Sequence, residues 1–475
     1  MLKKIVKNTT CILLGNVVNK ISSIILLFFF SRYLGATGFG LYSFIFFYVG
    51  LFGSLTDLGV KTTLVRELAR PRQRKELYLG NSIILAITGT VAALCLSIAI
   101  SFVAGYTSNV KALIALASLS LVFSFRDLTF RQIYESVFQV NLKMEYPTII
   151  NALNEILVVF SCLAVIMLKG SLGTLICVYV LGYVPGFICI IVYANKCMRP
   201  VFSLNKTVMK EIIKLCFPLG MAVALTSVYD KIGGVLLQVF KGSEAVGYYS
   251  VAYRVSVSLK IIPFALMISL FPLLSEYYAH DRGKFLKYFN AAVKYILLIA
   301  LPMGVIVTLF SEQIVVLVSG KSFIESATSL VYMIWAVVFL FITIVFFYTL
   351  ISMNKQVLAL FISGVMLTMN VILNIILIQK WSYVGASITL LLTEIIGFIL
   401  ALICVKRYVK EFSLAVFFKA GCAFLGMLAV IFVPCNILVK CSLSVLVFFV
   451  IAFFMKLLTH EEFALIKGFM RSKNK

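Results

Sequence analysis

Four stretches of this chain, residues 79–110, 170–195, 326–354 and 356–379, contain no Asp, Glu, Lys or Arg. Each is long enough to cross a hydrocarbon core about 30 Å thick as a single helix. Lipid offers no partner to an exposed N–H or C=O, so a spanning chain must be helical or form a closed barrel. Barrel strands are short and alternate in polarity, whereas these runs are apolar on every face. With 62% hydrophobic and 13% charged residues, the rest of the chain is matched to the same solvent. The expected fold class is an all-α polytopic membrane protein.

Breaks at charged, Pro, Gly and Asn clusters place spans near 10–34, 38–60, 79–104, 112–134, 147–168, 173–194 and 211–238. Seven more fall near 246–271, 288–310, 326–350, 356–379, 383–405, 413–434 and 438–458, making fourteen. Lys and Arg concentrate in cytoplasmic loops, which tests the count. Starting inside, 25 basic residues fall in inner segments and 6 in outer ones, with no inversion along the chain. Both termini are therefore expected in the cytoplasm, and the protein in the cell (inner) membrane. The first apolar run holds Asn16, Asn19 and Lys20 and continues to about residue 34, as a retained span does and a cleaved signal does not. Most of the net charge of +24 is accounted for by topology, so it is no nucleic-acid signature. The eleven cysteines show no CxxC or ligand spacing and lie mostly within spans, as small core residues; Cys435 and Cys441 fall near the outer face.

The segment "RYLGATGFGLYS" at 32–43 partly returns as "VFKGSEAVGYYS" at 239–250. A shift of 207 residues sets Gly35 on Gly242, Gly40 on Gly247, Tyr42 on Tyr249 and Ser43 on Ser250. "GYVPGFI" at 182–188 is echoed by "TEIIGFI" at 393–399. Both copies of the first motif lie between an odd and an even span, so the two six-helix units share an orientation. That implies a pseudo-two-fold along the membrane normal, one of the repeat arrangements of secondary transporters. The expected domains are an N-terminal lobe, 1–205, a C-terminal lobe, 206–410, and two further helices with a basic tail, 411–475.

"SRYLGATGFGLYSF", "LTDLGVKTTLVRELAR" and "YDKIGGVLLQVFKGSEAVGYYSVAYRVSVSLKIIPFALMISLFPLLSE" resemble polysaccharide flippases, the Wzx-like group of the multidrug/oligosaccharidyl-lipid/polysaccharide exporter superfamily, over about residues 5–410. The resemblance implies two six-helix lobes around a central cavity, two trailing helices, and alternating access that moves a lipid-linked oligosaccharide to the outer leaflet. Its implied partners are that lipid, the bilayer and other polysaccharide-assembly membrane proteins. No cofactor is expected.

Ionisable side chains inside spans are costly and face a bundle interior or water. In the first span Asn16, Asn19, Lys20 and Ser23 share one helical face; in the second, Gly50, Ser54, Asp57 and Lys61 form a similar line. An ion pair between Asp57 and Lys61 explains that line equally well. Ser250, Arg254 and Ser258 lie four apart in the eighth span, and Asp230 and Lys231 are adjacent in the seventh. Lys260, six residues past Arg254, cannot share its stripe; it either packs against a neighbouring helix or is turned inward by a kink at Pro263. The resemblance puts Lys20, Asp57, Asp230, Lys231 and Arg254 in or near the cavity, with Lys20, Lys231 and Arg254 holding a diphosphate. Structural pairing, such as Asp230 with Lys20, is the competing reading.

Thr148, Asn151 and Glu155 mark one face of the fifth span, and Arg126, Asp127 and Arg131 sit in the inner half of the fourth. Glu155, Asp57 and Asp230 are the carboxylates available for ion coupling, although Glu155 is also a natural partner for Arg126 or Arg131. Glu394 has no evident partner in the sequence. A drug or cation exporter of the same superfamily would carry a cavity dominated by acids and aromatics, whereas deep bases here are at least as numerous as deep acids. A polysaccharide polymerase or ligase would need acid, base or metal-ligand groups on an outer loop; the loops are short, and His280 and His460 both fall inside.

Overall fold

In the computed structural model, which describes residues 2–57, 59–69, 75–124, 129–434 and 436–457, every regular element is a helix. In chain order they are α1 Leu2–Leu51, α2 Gly53–Asp57, α3 Val60–Ala69, α4 Lys75–Val103, α5 Ser108–Ser118, α6 Ser120–Phe123, α7 Arg131–Val140, α8 Glu145–Met167, α9 Leu172–Leu181, α10 Val184–Cys197, α11 Lys206–Lys241 and α12 Ser243–Ser258. Then come α13 Ile261–His280, α14 Arg282–Leu309, α15 Ser311–Ser319, a 3-10 turn at Lys321–Phe323, α16 Ser326–Ser352, α17 Gln356–Tyr408, α18 Ala415–Ile431 and α19 Ile437–Phe454. Ten helical stretches among the described residues are long and apolar enough to cross a membrane, and two shorter apolar helices, Ser108–Phe123 and Ala415–Ile431, accompany them. Two of the ten, Val17–Val65 and Gln356–Tyr408, are each broken by non-helical residues, so each holds two spans. Every one of the fourteen expected spans thus has its own helical stretch. Arg126, Asp127, Cys435 and His460, named above, lie outside the described residues.

The chain forms two compact units, one of Met1–Val251, Val316–Ile324 and Leu367–Ala386, the other of Ala252–Val315, Glu325–Met366 and Ser387–Lys475. In the first, α1 packs on α8 and α11, and α3 on α7. α1 breaks at Gly35 (φ 64°, ψ −177°), and α11 gives way to α12 at Gly242 (φ 80°, ψ −177°). These two residues, 207 apart, share a conformation that is open essentially to glycine alone. The helices that follow them cross by direct backbone contact. A Cβ on Gly40 would overlap the Ser243 carbonyl, and one on Gly247 would overlap the Ala36 carbonyl. Ala36 and Ser243 are themselves 207 residues apart, so the crossing obeys a local two-fold in which each repeat makes the same contact on the other.

The second unit is built on α13, α14 and α16, which pack on one another, with α18 and α19 paired at its margin. Its core is aromatic. Phe289 lies 4.9 Å from Phe412, and Phe346 stacks on Phe398 at 6.0 Å. α7 and α16 end in the same left-handed turn, at Leu142 and Asn354. In each, the next amide reaches back five residues, Lys143 to Phe138 at 2.9 Å and Lys355 to Leu350 at 2.8 Å, satisfying last-turn carbonyls before the chain reverses.

Several spans expected to be continuous are broken, the sixth at Gly182–Tyr183. The eighth span parts at Leu259–Lys260 and not at Pro263, because the ring nitrogen of Pro263 has no proton to donate to the Leu259 carbonyl one turn earlier. The fourth is interrupted at Leu119 and again after Phe123. The second is interrupted at Phe52 and again past Asp57, where Gly59 (φ 78°) turns against Gly220.

Because main-chain carbonyls of packed helices cannot retreat as side chains can, Gly40→Ala and Gly247→Ala should each destabilise the protein by about 1–3 kcal/mol. Thermal unfolding in detergent should show both losses. Gly421→Ala, whose Cβ would meet nothing within 4 Å, should be neutral.

Candidate functional site

Of the five expected cavity residues, Lys20, Asp57, Asp230 and Lys231 belong to the first compact unit and Arg254 to the second. Lys231, on α11, is half-buried and donates its ammonium to the Gly50 carbonyl at 3.2 Å; the Ser227 hydroxyl donates to the same oxygen at 3.3 Å. Gly50 lies in the last turn of α1, where carbonyls have lost their helical partner and the helix dipole is negative. The cation is therefore drawn to a helix end. It fits because a Cβ on Gly50 would lie 2.6 Å from Cδ, Cε and Nζ of Lys231.

Asp230 turns elsewhere, as neighbours about 100° apart on a helix must. Its carboxylate is within electrostatic reach of the phenol of Tyr249, which is fully buried. The Tyr249 hydroxyl and the Asn374 amide both border the vacant side of Gly233, at 3.2 and 3.6 Å from the position a Cβ would take. Asn374 donates to Asn370 at 2.8 Å, and both asparagines are buried. Neither asparagine was singled out from the sequence, although two amides one turn apart in the charge-free run 356–379 were a legible signal.

Asp57 is buried, and its Oδ1 accepts the main-chain N–H of Lys61 at 2.8 Å. The Lys61 ammonium instead donates to Gln132 at 3.1 Å. Helical spacing between residues 50 and 61 does not apply, since the chain turns twice within it. The carboxylate serves the start of α3, where free amides and the positive dipole end favour an anion. Lys20 is half-buried on α1, where the Ser23 hydroxyl donates to the Asn19 carbonyl at 2.8 Å; the Asn16 side chain lies outside the described residues. Arg254 is half-buried on α12, with Ser250 one turn before it on the same continuous helix.

A second polar assembly joins α7, α8 and the α9–α10 junction. Arg131 is completely buried and donates to Asn151 and, at 3.4 Å, to the Phe123 carbonyl; its Nε is 3.6 Å from Glu135. Asn151 donates to Glu135 at 3.2 Å. One turn along α8, the buried Glu155 accepts the Tyr183 hydroxyl at 3.0 Å, within the electrostatic field of Arg131. Asn154 pins the junction by donating to the Gly182 carbonyl at 3.1 Å and accepting the Gly186 amide at 2.6 Å. Thr148, on the same face of α8, donates to the Cys11 carbonyl of α1 at 3.4 Å. Among the described residues, Arg131 is thus a basic residue that shares this interior with Glu155. Among the described residues no cluster of His, Cys, Asp or Glu could hold a metal.

A polytopic all-helical chain with cations set inside its spans and a glycine crossing repeated in register is built as a membrane transporter is, and comparison with known proteins agrees. Residues 5–278 match the model for the polysaccharide biosynthesis protein family, and residues 218–376 match the MatE model. The chain belongs to the polysaccharide biosynthesis protein family, within the multidrug/oligosaccharidyl-lipid/polysaccharide exporter superfamily, whose members are transporters rather than enzymes. An uncharacterized membrane protein of Methanocaldococcus jannaschii is 25% identical over 226 residues, a match that spans 46% of this chain and 44% of that relative. Its fold resembles that of the lipid II flippase MurJ in an inward closed conformation, with a TM-score of 0.74 at 18% identity over 95% of this chain and 99% of that one. A multidrug resistance MATE transporter in an inward-facing conformation follows at 0.61 and 15%, over 84% and 96%. A transporter of the same superfamily from Pyrococcus furiosus gives 0.56 and 14%, over 86% and 97%.

Removing one partner from a buried charged network strands the others, so Arg131→Met should destabilise the protein by about 3–5 kcal/mol. Urea or thermal denaturation of the purified protein checks this.

Proposed function

We propose that this protein is a flippase that carries a polyprenyl-diphosphate-linked oligosaccharide from the inner to the outer leaflet of the cell membrane, by alternating access, for cell-surface polysaccharide biosynthesis. The observation that carries the reading is the Lys231 ammonium, placed inside a span at the C-terminal end of α1 and admitted there by Gly50. A cation drawn into low dielectric is what a diphosphate requires when its hydration is reduced. Family membership, and a fold shared with a lipid II flippase, support the same substrate class. On this reading Lys20, Lys231 and Arg254 hold the diphosphate, while Asp57 and Asp230 line the path. The lobes are 1–205 and 206–410, two helices trail them from 411 to 475, and both termini are cytoplasmic.

Asp230 is the carboxylate best placed for ion coupling, because it acts on the phenol of Tyr249, whose hydroxyl borders Gly233 together with the Asn374 amide. Glu155 is a strut of the Arg131 network. Glu155→Gln keeps an oxygen to accept the Tyr183 proton, so it should leave the proton dependence of transport unchanged. A proton dependence abolished by this one substitution would return Glu155 to the coupling path.

The primary test is the leaflet distribution of lipid-linked oligosaccharide in cells with and without the protein, read with a membrane-impermeant glycan-modifying reagent and mass spectrometry. Depletion should leave the lipid protected in the inner leaflet. An unchanged distribution together with new sensitivity to small organic cations would assign the chain to drug export instead. Arg254→Glu should abolish the flipping while the protein still folds and reaches the membrane; wild-type flipping would remove Arg254 from the site.

A further inference from the structure

The segment Met198–Asn205 joins α10 to α11 without regular structure. It is nevertheless held in place. The Val201 amide donates to the Glu76 carbonyl at 3.0 Å, the Val201 carbonyl rests where a Cβ of Gly80 would stand, and the Asn205 amide donates to Asn81 Oδ1 at 3.1 Å. The Asn205 side chain then caps α11 by accepting the amides of Thr207 and Val208, each at 3.1 Å.

The segment so fixed turns its apolar side chains outward. Val201 is 49% exposed, Phe202 61% and Leu204 75%. A polar loop in water would not hold three large apolar groups rigidly exposed. These groups are at a defined depth, because Gly80 and Asn81 are the second and third residues of the charge-free run 79–110, where the apolar part of α4 begins.

Basic residues surround them. Lys196 lies 5.0 Å over the ring of Tyr193, which is itself exposed, and Arg199 is on the segment itself. On α11, exposed Lys206, Lys210 and Lys214 share a helical face about 100° wide with exposed Ile213 and Phe217, so the face passes from basic to apolar along the helix. Glu211 falls outside that face. An excess of Lys and Arg is ordinary for a cytoplasmic loop. A fixed row of outward apolar side chains at the depth where the bilayer begins, rimmed by lysines with stems long enough to reach the headgroups, is not explained by topology alone.

We propose that Val201, Phe202 and Leu204, with Lys206, Lys210 and Lys214, form a seat for anionic phospholipid of the adjoining leaflet. The apolar groups enter the boundary between headgroups and acyl chains, and the lysines pair with lipid phosphates. The segment lies between the sixth and seventh spans, where the repeat begins again, so the seat fixes that junction to the membrane surface. The inference is independent of which substrate the protein carries.

The test places an indole at the seat with Phe202→Trp and reconstitutes the full chain into bilayers of phosphatidylcholine with a minor fraction of phosphatidylglycerol. Either lipid, but not both, is brominated near the headgroup end of its acyl chains. Subtracting the same measurement on the parent protein removes the signals of Trp335 and Trp381. The added emission should be blue-shifted and quenched by brominated lipid. Corrected for composition, quenching by brominated phosphatidylglycerol should exceed that by brominated phosphatidylcholine several-fold. That ratio should fall to near one when Lys206→Gln, Lys210→Gln and Lys214→Gln are combined; these exposed positions leave the packing of α11 intact. A ratio of one in the unmodified lysine background would overturn the anionic preference. An indole quenched by aqueous acrylamide and untouched by either brominated lipid would overturn the seat, and leave the surface to a protein partner.

Discussion

The first compact unit depends on the absence of two side chains. Gly40 and Gly247 let the helices after Gly35 and Gly242 meet backbone to backbone, Gly40 on the Ser243 carbonyl and Gly247 on that of Ala36, the equivalent of Ser243 in the other repeat. Between apolar helices in lipid there is no hydrophobic driving force, so association comes from close packing, and small residues allow the closest approach. Everything near the crossing inherits its geometry. Gly234 brings Phe47 against α11, and Gly50 accepts Lys231, all within the stretch that the crossing aligns.

That alignment explains how charge is tolerated inside the spans. Lys231 is offset by a helix end, with the Gly50 carbonyl and the negative end of the α1 dipole in place of water. Asp57 is offset by the amide at the start of α3. Arg131 uses the other solution, a set of polar partners, Asn151, Glu135 and the Phe123 carbonyl, gathered around a buried guanidinium. The two solutions have different consequences. A charge beside a helix terminus sits in the field of aligned backbone dipoles, whereas a charge set among buried polar side chains braces the helices that carry them.

Much of this was legible before any coordinates. Charge-free runs located the spans because the cost of an ionised group in hydrocarbon is large and local. The shift of 207 residues set Gly35 on Gly242, and the two share one pair of torsion angles. Less was legible wherever a helix was assumed to continue. The line drawn through Gly50, Ser54, Asp57 and Lys61 supposed one unbroken helix, and two turns fall inside it. The break in the eighth span lies one turn before Pro263, because proline acts on the carbonyl four residues before it. Gly50 was placed on a polar stripe, but its use depends on a lysine 181 residues away, which no local pattern records.

By itself the sequence determined the solvent, the number of spans, the repeat and its glycine hinges, since each of these follows from composition over a window or from one residue's permitted torsion angles. Tertiary structure alone decided which carbonyl meets Lys231, that Asp57 caps α3, and that Glu155 shares its interior with Arg131. Those are pairings between segments distant along the chain, selected by how packed helices exclude or admit a single side chain, and the energy that selects them exists only once the helices have met.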